Sequence, residues 1–184
     1  TFIPLYAGAA DKQRILDVSP AGKVPILVDG DVTVWDSLAI VEYLAEKFPE
    51  KKLWPDDRAA RARARAISAE MHSGFAALRN ECGMNLHRPV GPVPLSAEAC
   101  DNIARIREIW TECLARHGGP FLFGAFGAAD AMYAPVVHRF RTYAVELDDA
   151  SRRYMDAMQS LLAFQEWTRD GLAETIVIEK FETA

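Results

Sequence analysis

Disulfide chemistry, membrane spans and metal-binding motifs all find little support in this sequence. It has only three cysteines, Cys82, Cys100 and Cys113, with no CxxC pair and no zinc-type spacing. That odd count reads as reduced thiols in a cytoplasmic protein, set at mostly apolar helix positions as packing. No run approaches the roughly 18–20 apolar residues that cross a bilayer, so no membrane partner is expected. His72, His87, His117 and His138 are too scattered for an HExxH-type site, so no metal is expected either. The glycines at 118–119 and 124–127 contain no GxxxxGKS phosphate loop. Positive charge is also short, with 21 Lys and Arg against 26 Asp and Glu and a net charge of −5. That balance argues against a nucleic-acid partner. Arg58, Arg61, Arg63 and Arg65 do not reverse it. At about 100° per residue Arg63 points away from Arg61 and Arg65, which leaves a solvated helix face. The chain opens at Thr1 without an initiator Met and without a leader-like stretch, and Phe2–Leu5 reads as a strand already under way. A preceding N-terminal piece is therefore expected.

What the 184 residues do contain is an ordinary globular composition, half of it hydrophobic, arranged in two regions of different character. Up to about Phe48 the pattern is mixed. Asp11 to Val18 is a polar turn or short helix. Val24–Val28 and Thr33–Trp35 flank the tight Asp29–Gly30–Asp31 turn and predict a hairpin. Ser37–Phe48 then sets Ile40, Val41, Leu44 and Phe48 on one helical face, and Pro49 ends it. Pro49–Asp57 is a charged connector. Beyond it the pattern predicts helices from Arg58 to about Cys82, from Ser96 to Gly118, from about Ala128 to Val145, and from about Ser151 through Leu162. The residues from Ala163 to Gly171 are left as last turns leading into a tail.

The chemistry concentrates in Ser19–Pro20–Ala21–Gly22–Lys23–Val24–Pro25–Ile26–Leu27 and in Trp35–Asp36–Ser37–Leu38–Ala39–Ile40. A proline at the mouth of a strand cannot donate to the ladder. A cis Val24–Pro25 bond would expose both backbone groups of Val24 to an extended peptide. Asp36 and Ser37 stand where a helix begins, with unpaired N–H groups and a dipole that favours an anion. Ser37 suits a carboxylate and Asp36 an ammonium. A short peptide with an α-amino acid head group fits both halves. Taken singly, each feature has a plainer reading, an N-cap for Asp36 or Ser37 and a strand start for Val24–Pro25.

Together, in this order and spacing, "GKVP", hairpin and "DSLAI" resemble the glutathione transferase superfamily, of bacterial type. The resemblance implies that Val24, in a cis-proline turn with Pro25, pairs with the cysteinyl part of glutathione. It further implies that Asp36 and Ser37 hold the γ-glutamyl group and that Lys23 lies near the glycyl carboxylate. Phe123–Pro135 resembles the family's sixth-helix segment, where a hydroxyl N-cap and an Asp form a capping box. Here Gly127 replaces the hydroxyl residue, so Asp130 can supply only half a box. Pro135 falls inside that helix.

The implied fold is α/β plus all-α. A partial thioredoxin-like domain, residues 1–50, precedes an all-helical domain, residues 58–184. The implied reaction is attack of the glutathione thiolate on a small electrophile, as in detoxification, by a cytoplasmic homodimer with glutathione as co-substrate and no metal. His72, Phe75 and Arg79, at i, i+3 and i+7 of the first long helix, are candidates for an acceptor pocket, although Phe75 equally suits the core. By resemblance that helix flanks the cleft where the electrophile binds. No catalytic residue is assigned. The family's thiolate-stabilising Ser, Tyr or Cys follows its first strand, whereas Tyr6 follows the second. Alternatives are a non-catalytic binding or dimerisation module, and a zeta-like isomerase for an acidic substrate, to which Arg79 points.

Overall fold

A computed structural model describes residues 9–175 and residue 177. The expected strand at Phe2–Leu5, and Tyr6 after it, lie outside the described residues. The chain divides into two compact units, Thr1–Leu53 and Trp54–Ala184.

The described part of the first unit begins at α1 (Ala9–Leu16), closed by the Ser19 and Gly22 turn, in which Gly22 has φ 55°. Strands β1 (Ile26–Asp29) and β2 (Val32–Trp35) form an antiparallel pair in which Ile26 faces Trp35 and Asp29 faces Val32. That register leaves a two-residue turn, with Gly30 at φ 60° where an L side chain would be strained. Helix α2 (Ser37–Lys47) follows and packs on both strands. Pro49 stops it and begins a single 3-10 turn, Pro49–Lys51. No residue of α2 is fully buried.

The second unit is helical. It runs through α3 (Arg58–Ser73), α4 (Ala76–Glu81), α5 (Ala97–His117), α6 (Ala128–Thr142), α7 (Asp149–Ser160) and α8 (Leu162–Ala173). Its core is centred on Trp110 of α5, whose ring lies 5.9 Å from Tyr133, 5.3 Å from Phe140 and 4.8 Å from Tyr154. Ile67, Leu78, Ile106, Ile109, Val136, Val137 and Met158 are fully buried in the same unit. Truncating a fully buried Trp of this kind costs about 3–5 kcal/mol. The ends of α5 are capped as the sequence suggested, and Asp57 adds a cap to α3. Asp57 and Ser96 accept from the N–H groups three residues on, and Gly118, at φ 82°, closes α5.

Two expectations are corrected. The segment from Arg58 to Cys82 is not one helix, because it breaks at Gly74 and Phe75. The Gly74 N–H caps α3 by donating to the Glu70 carbonyl, and Phe75 turns the chain at φ 56°. The apolar period continues through the break, which is why the sequence conceals it. The segment after Leu161 is not a tail of loose turns. It is α8, locked by Phe164, which stacks on His138 of α6 at 4.6 Å, and by Trp167, at 4.7 Å from the same ring. In addition, Cys100 is exposed rather than packed, unlike Cys82 and Cys113.

Candidate functional site

The open end of the hairpin brings the two candidate segments together. Because Ile26 pairs with Trp35, the chain entering β1 and the chain leaving β2 run side by side, about 4.8 Å apart. Val24–Pro25 thereby neighbours Asp36–Ser37. The Val24–Pro25 peptide bond is cis. Val24 is 52% exposed, and its N–H and C=O precede the ladder, which starts at Ile26. Lys23 and Pro25 are exposed beside it.

Asp36 is the N-cap of α2. Its Oδ1 accepts the Leu38 N–H at 2.9 Å, and its carbonyl accepts the Ile40 N–H at 2.9 Å. It holds φ 75° and ψ 128°, a conformation that costs a non-glycine residue about 1–3 kcal/mol. Strain of this size persists where the surroundings impose it, and it clusters at ligand sites. The plainer N-cap reading is therefore correct for Asp36, and it leaves room for more. A carboxylate has about four acceptor positions, and the cap bond uses one of them. Ser37, half-buried, is the first helical residue, and its N–H belongs to the turn whose amides have no partner further back in the helix. An anion held there gains from the helix dipole, and an ammonium gains from the Asp36 carboxylate.

A clip keeps this corner in place. Tyr43 of α2 donates its hydroxyl to Asp29 Oδ2 of β1 at 2.6 Å, and Lys47 pairs with the same oxygen. The Lys47 and Tyr43 hydrogen bonds hold the Asp29 carboxyl below its ordinary range, while Asp29 raises both partners. The clip ties the strand that follows Pro25 to the helix that follows Asp36.

The structure does not set the three pocket candidates on one helical stripe. Phe75 sits in the break between α3 and α4 and is only 8% exposed, so it belongs to the core. His72 and Arg79 are half-buried on two different helices, joined by an Arg79 hydrogen bond to the His72 carbonyl at 3.3 Å. Three of the four arginines of α3 are occupied locally. Arg61 donates to the Pro55 and Asp56 carbonyls, Arg63 pairs with Glu112, and Arg65 lies 5.7 Å from the Trp54 ring. Among the described residues no group of three or more His, Cys, Asp or Glu is placed to hold a metal, and no helix is long and apolar enough to cross a membrane. Sequence reasoning missed Arg139 of α6, which donates to the Cys82 carbonyl and neighbours Arg79, and Arg88, which approaches Cys82 from a loop. Nothing in their spacing announces that meeting.

Comparison with known proteins converges on one family. Residues 2–52 match the model of the glutathione S-transferase N-terminal domain, and residues 58–167 match that of its C-terminal domain. The chain is 32% identical over 137 residues to a protein named glutathione S-transferase 1 from Dianthus caryophyllus, covering 73% of this chain and 62% of the relative. It is 47% identical over 70 residues to a probable maleylacetoacetate isomerase from Caenorhabditis elegans, covering 38% of this chain and 32% of the relative. The chain thus spans less than two thirds of either relative. In fold it matches a glutathione transferase homologue from Burkholderia, solved with bound glutathione. That match has a TM-score of 0.68 at 22% identity and covers 94% of this chain and 82% of the other.

Proposed function

Because this chain belongs to the glutathione S-transferase family, we propose that the hairpin and α2 hold glutathione and present its sulfur to a small electrophile. Val24 pairs with the cysteinyl part of the tripeptide. Asp36 and Ser37 receive the ammonium and carboxylate of its γ-glutamyl group, and Lys23 stands near the glycyl carboxylate. Residues 1–50 act as the glutathione domain and residues 58–184 as the helical domain, in a cytoplasmic homodimer that joins through α2 and α3. The observation that carries this reading is the side-by-side placement of Val24–Pro25 and a strained Asp36 at the start of α2. The binding half is written in this chain's own residues. The chemical half is thiolate attack, by conjugation, thiolysis or isomerisation, and rests on positioning the sulfur. The nematode relative's name favours a second, narrower version of the same chemistry, isomerisation of an acidic substrate.

Titration of glutathione into the purified chain, with a glutathione-dependent conjugation assay on a model aryl halide, tests both halves. Saturable binding and turnover, each reduced at least tenfold in Asp36→Ala, is the expected result. Binding without turnover would point to a non-catalytic module. No binding by the wild-type protein would overturn the proposal.

A further inference from the structure

The loop after α5 and the start of α7 frame a cavity of about 500 Å³ in the helical unit. It shares no residue with the hairpin corner or with His72, Phe75 and Arg79. Its walls are apolar, with Leu114 and Ala115 from α5, Pro120 from the loop, and Ala150 and Tyr154 from α7. Gly118 and Gly119, at φ 82° and 63°, line it with backbone alone. Thr111 and Arg153 add a hydroxyl and a guanidinium. Small-molecule sites have this make-up, apolar walls with a few placed polar groups around roughly 300–1,000 Å³.

The walls are fixed before any ligand arrives. Tyr154 meets the Trp110 ring edge-on at 4.8 Å, which seats α7 on α5. Arg107 of α5 holds Asp148, the N-cap of α7, at 3.5 Å. The Gly118 N–H donates to the Leu114 carbonyl at 2.9 Å and the Leu122 N–H to Asp130 at 3.0 Å, so the loop is tied on both sides of Pro120. A preformed site loses little ordering entropy on binding.

Charge around the cavity is unevenly met. Asp148 is paired with Arg107, and Asp149 with Arg152, which also donates to the Leu147 carbonyl. The next residue, Arg153, is exposed and has neither an ion pair nor a hydrogen bond among the described residues. Among the described residues it is also the only charged side chain that lines the cavity. The first turn of α7 favours an anion on the same side, while the last carbonyls of α5 disfavour one on the other. Apolar walls reward a hydrocarbon body, and a guanidinium rewards a carboxylate through paired, charge-assisted hydrogen bonds. We propose that this cavity binds an amphipathic monocarboxylate, with its apolar body against Leu114, Ala115 and Ala150 and its carboxylate on Arg153. The ligand is bound and not turned over, and the site stands or falls separately from glutathione binding by the first unit.

The test is calorimetric titration of octanoate into the full chain, with octanamide as the uncharged control and backbone amide NMR shifts to locate the site. Octanoate should bind saturably and shift Gly118, Gly119 and Ala150. Binding should weaken about tenfold for octanamide, and as much for octanoate in Arg153→Glu, the loss expected of a charge-assisted contact. Ala115→Trp fills the cavity from an exposed position and should abolish binding. Melting temperatures report the folding of each variant, both of which change exposed residues. Glutathione is titrated into the same samples, and a failure there bears on the first unit alone. The proposal is overturned if octanoate does not bind at concentrations up to about 10 mM, if octanamide binds equally well, or if folded Ala115→Trp binds like wild type. Shifts that bypass the loop after α5 would overturn it as well.

Discussion

Asp36 carries two opposed burdens. Its side chain caps α2, which is worth about 1 kcal/mol, while its backbone sits at φ 75°, where only glycine is at ease. Replacement by glycine relieves the strain and sacrifices little capping, whereas replacement by alanine keeps the strain and loses the cap. Asp36→Gly is thus expected to melt at or above the wild-type temperature and Asp36→Ala below it, by about 1 kcal/mol in a denaturant titration. Both should lose glutathione binding alike. Stability and binding separating in this way would identify a residue kept for its ligand.

Two buried titratable residues give a pH signature at the same scale. Burial, with a smaller contribution from Arg141, lowers His138 to about 4, below the ordinary 6.5. Its stabilising share is full above pH 6.5 and is lost as pH falls toward 4. Burial raises Asp130 to about 6 from 3.8, despite bonds from the Leu122 N–H at 3.0 Å and the Gly127 N–H at 2.9 Å. Its share runs the other way, full below 3.8 and lost as pH rises through 6. Between pH 4 and 6 the two offset each other. Melting temperature measured across that interval should fall more steeply with acid in Asp130→Asn than in wild type. Equal slopes would contradict the assignment.

Among the elements, the hairpin and the capped helices were legible in the sequence because short-range chemistry dictates them. Asp29–Gly30 sets the turn, Ser96 the start of α5 and Gly118 its end. The half capping box at Asp130 was legible for the same reason. The α3–α4 break was not, since Ile67, Met71, Phe75 and Leu78 keep a helical period across it and all four are buried. Only the glycine hinted at it. A Cβ on Gly74 would stand 2.6 Å from the Glu70 carbonyl oxygen, a backbone atom that cannot step aside. Gly74→Ala should therefore destabilise the protein by about 1–3 kcal/mol, although alanine is the better helix former. Chemical denaturation would show it, and a stabilised variant would mean that the break is not needed. Helix α8 also escaped the sequence reading, because its hold on His138 is tertiary and has no local signal.

At the scale of the molecule, the two units differ in how they are held. The helical unit has a full aromatic and aliphatic core around Trp110. The described part of the first unit buries Ile15 and little else that is large and apolar, and it leaves Val24, Val28, Val32 and Trp35 exposed. Among the described residues, the candidate corner is held by the hairpin register and by the Asp29–Tyr43–Lys47 clip. Tyr43→Phe removes the 2.6 Å bond and should weaken glutathione binding several-fold while leaving the helical unit's melting unchanged. The candidate residues at 23–25 and 36–37 could be singled out from sequence because each is a local backbone feature. The meeting of Arg139 with Arg79 and Cys82 could not, since its members come together only through the packing of α4 against the bundle.

The most direct test of the central claim is a backbone amide NMR titration of the labelled chain with glutathione. Saturable shifts centred on Val24, Ser37 and Leu38, absent in Asp36→Ala, are predicted. Shifts that avoid these amides, or none at glutathione concentrations up to about 10 mM, where even a Kd of 1 mM (about −4 kcal/mol) would show near saturation, would contradict the account.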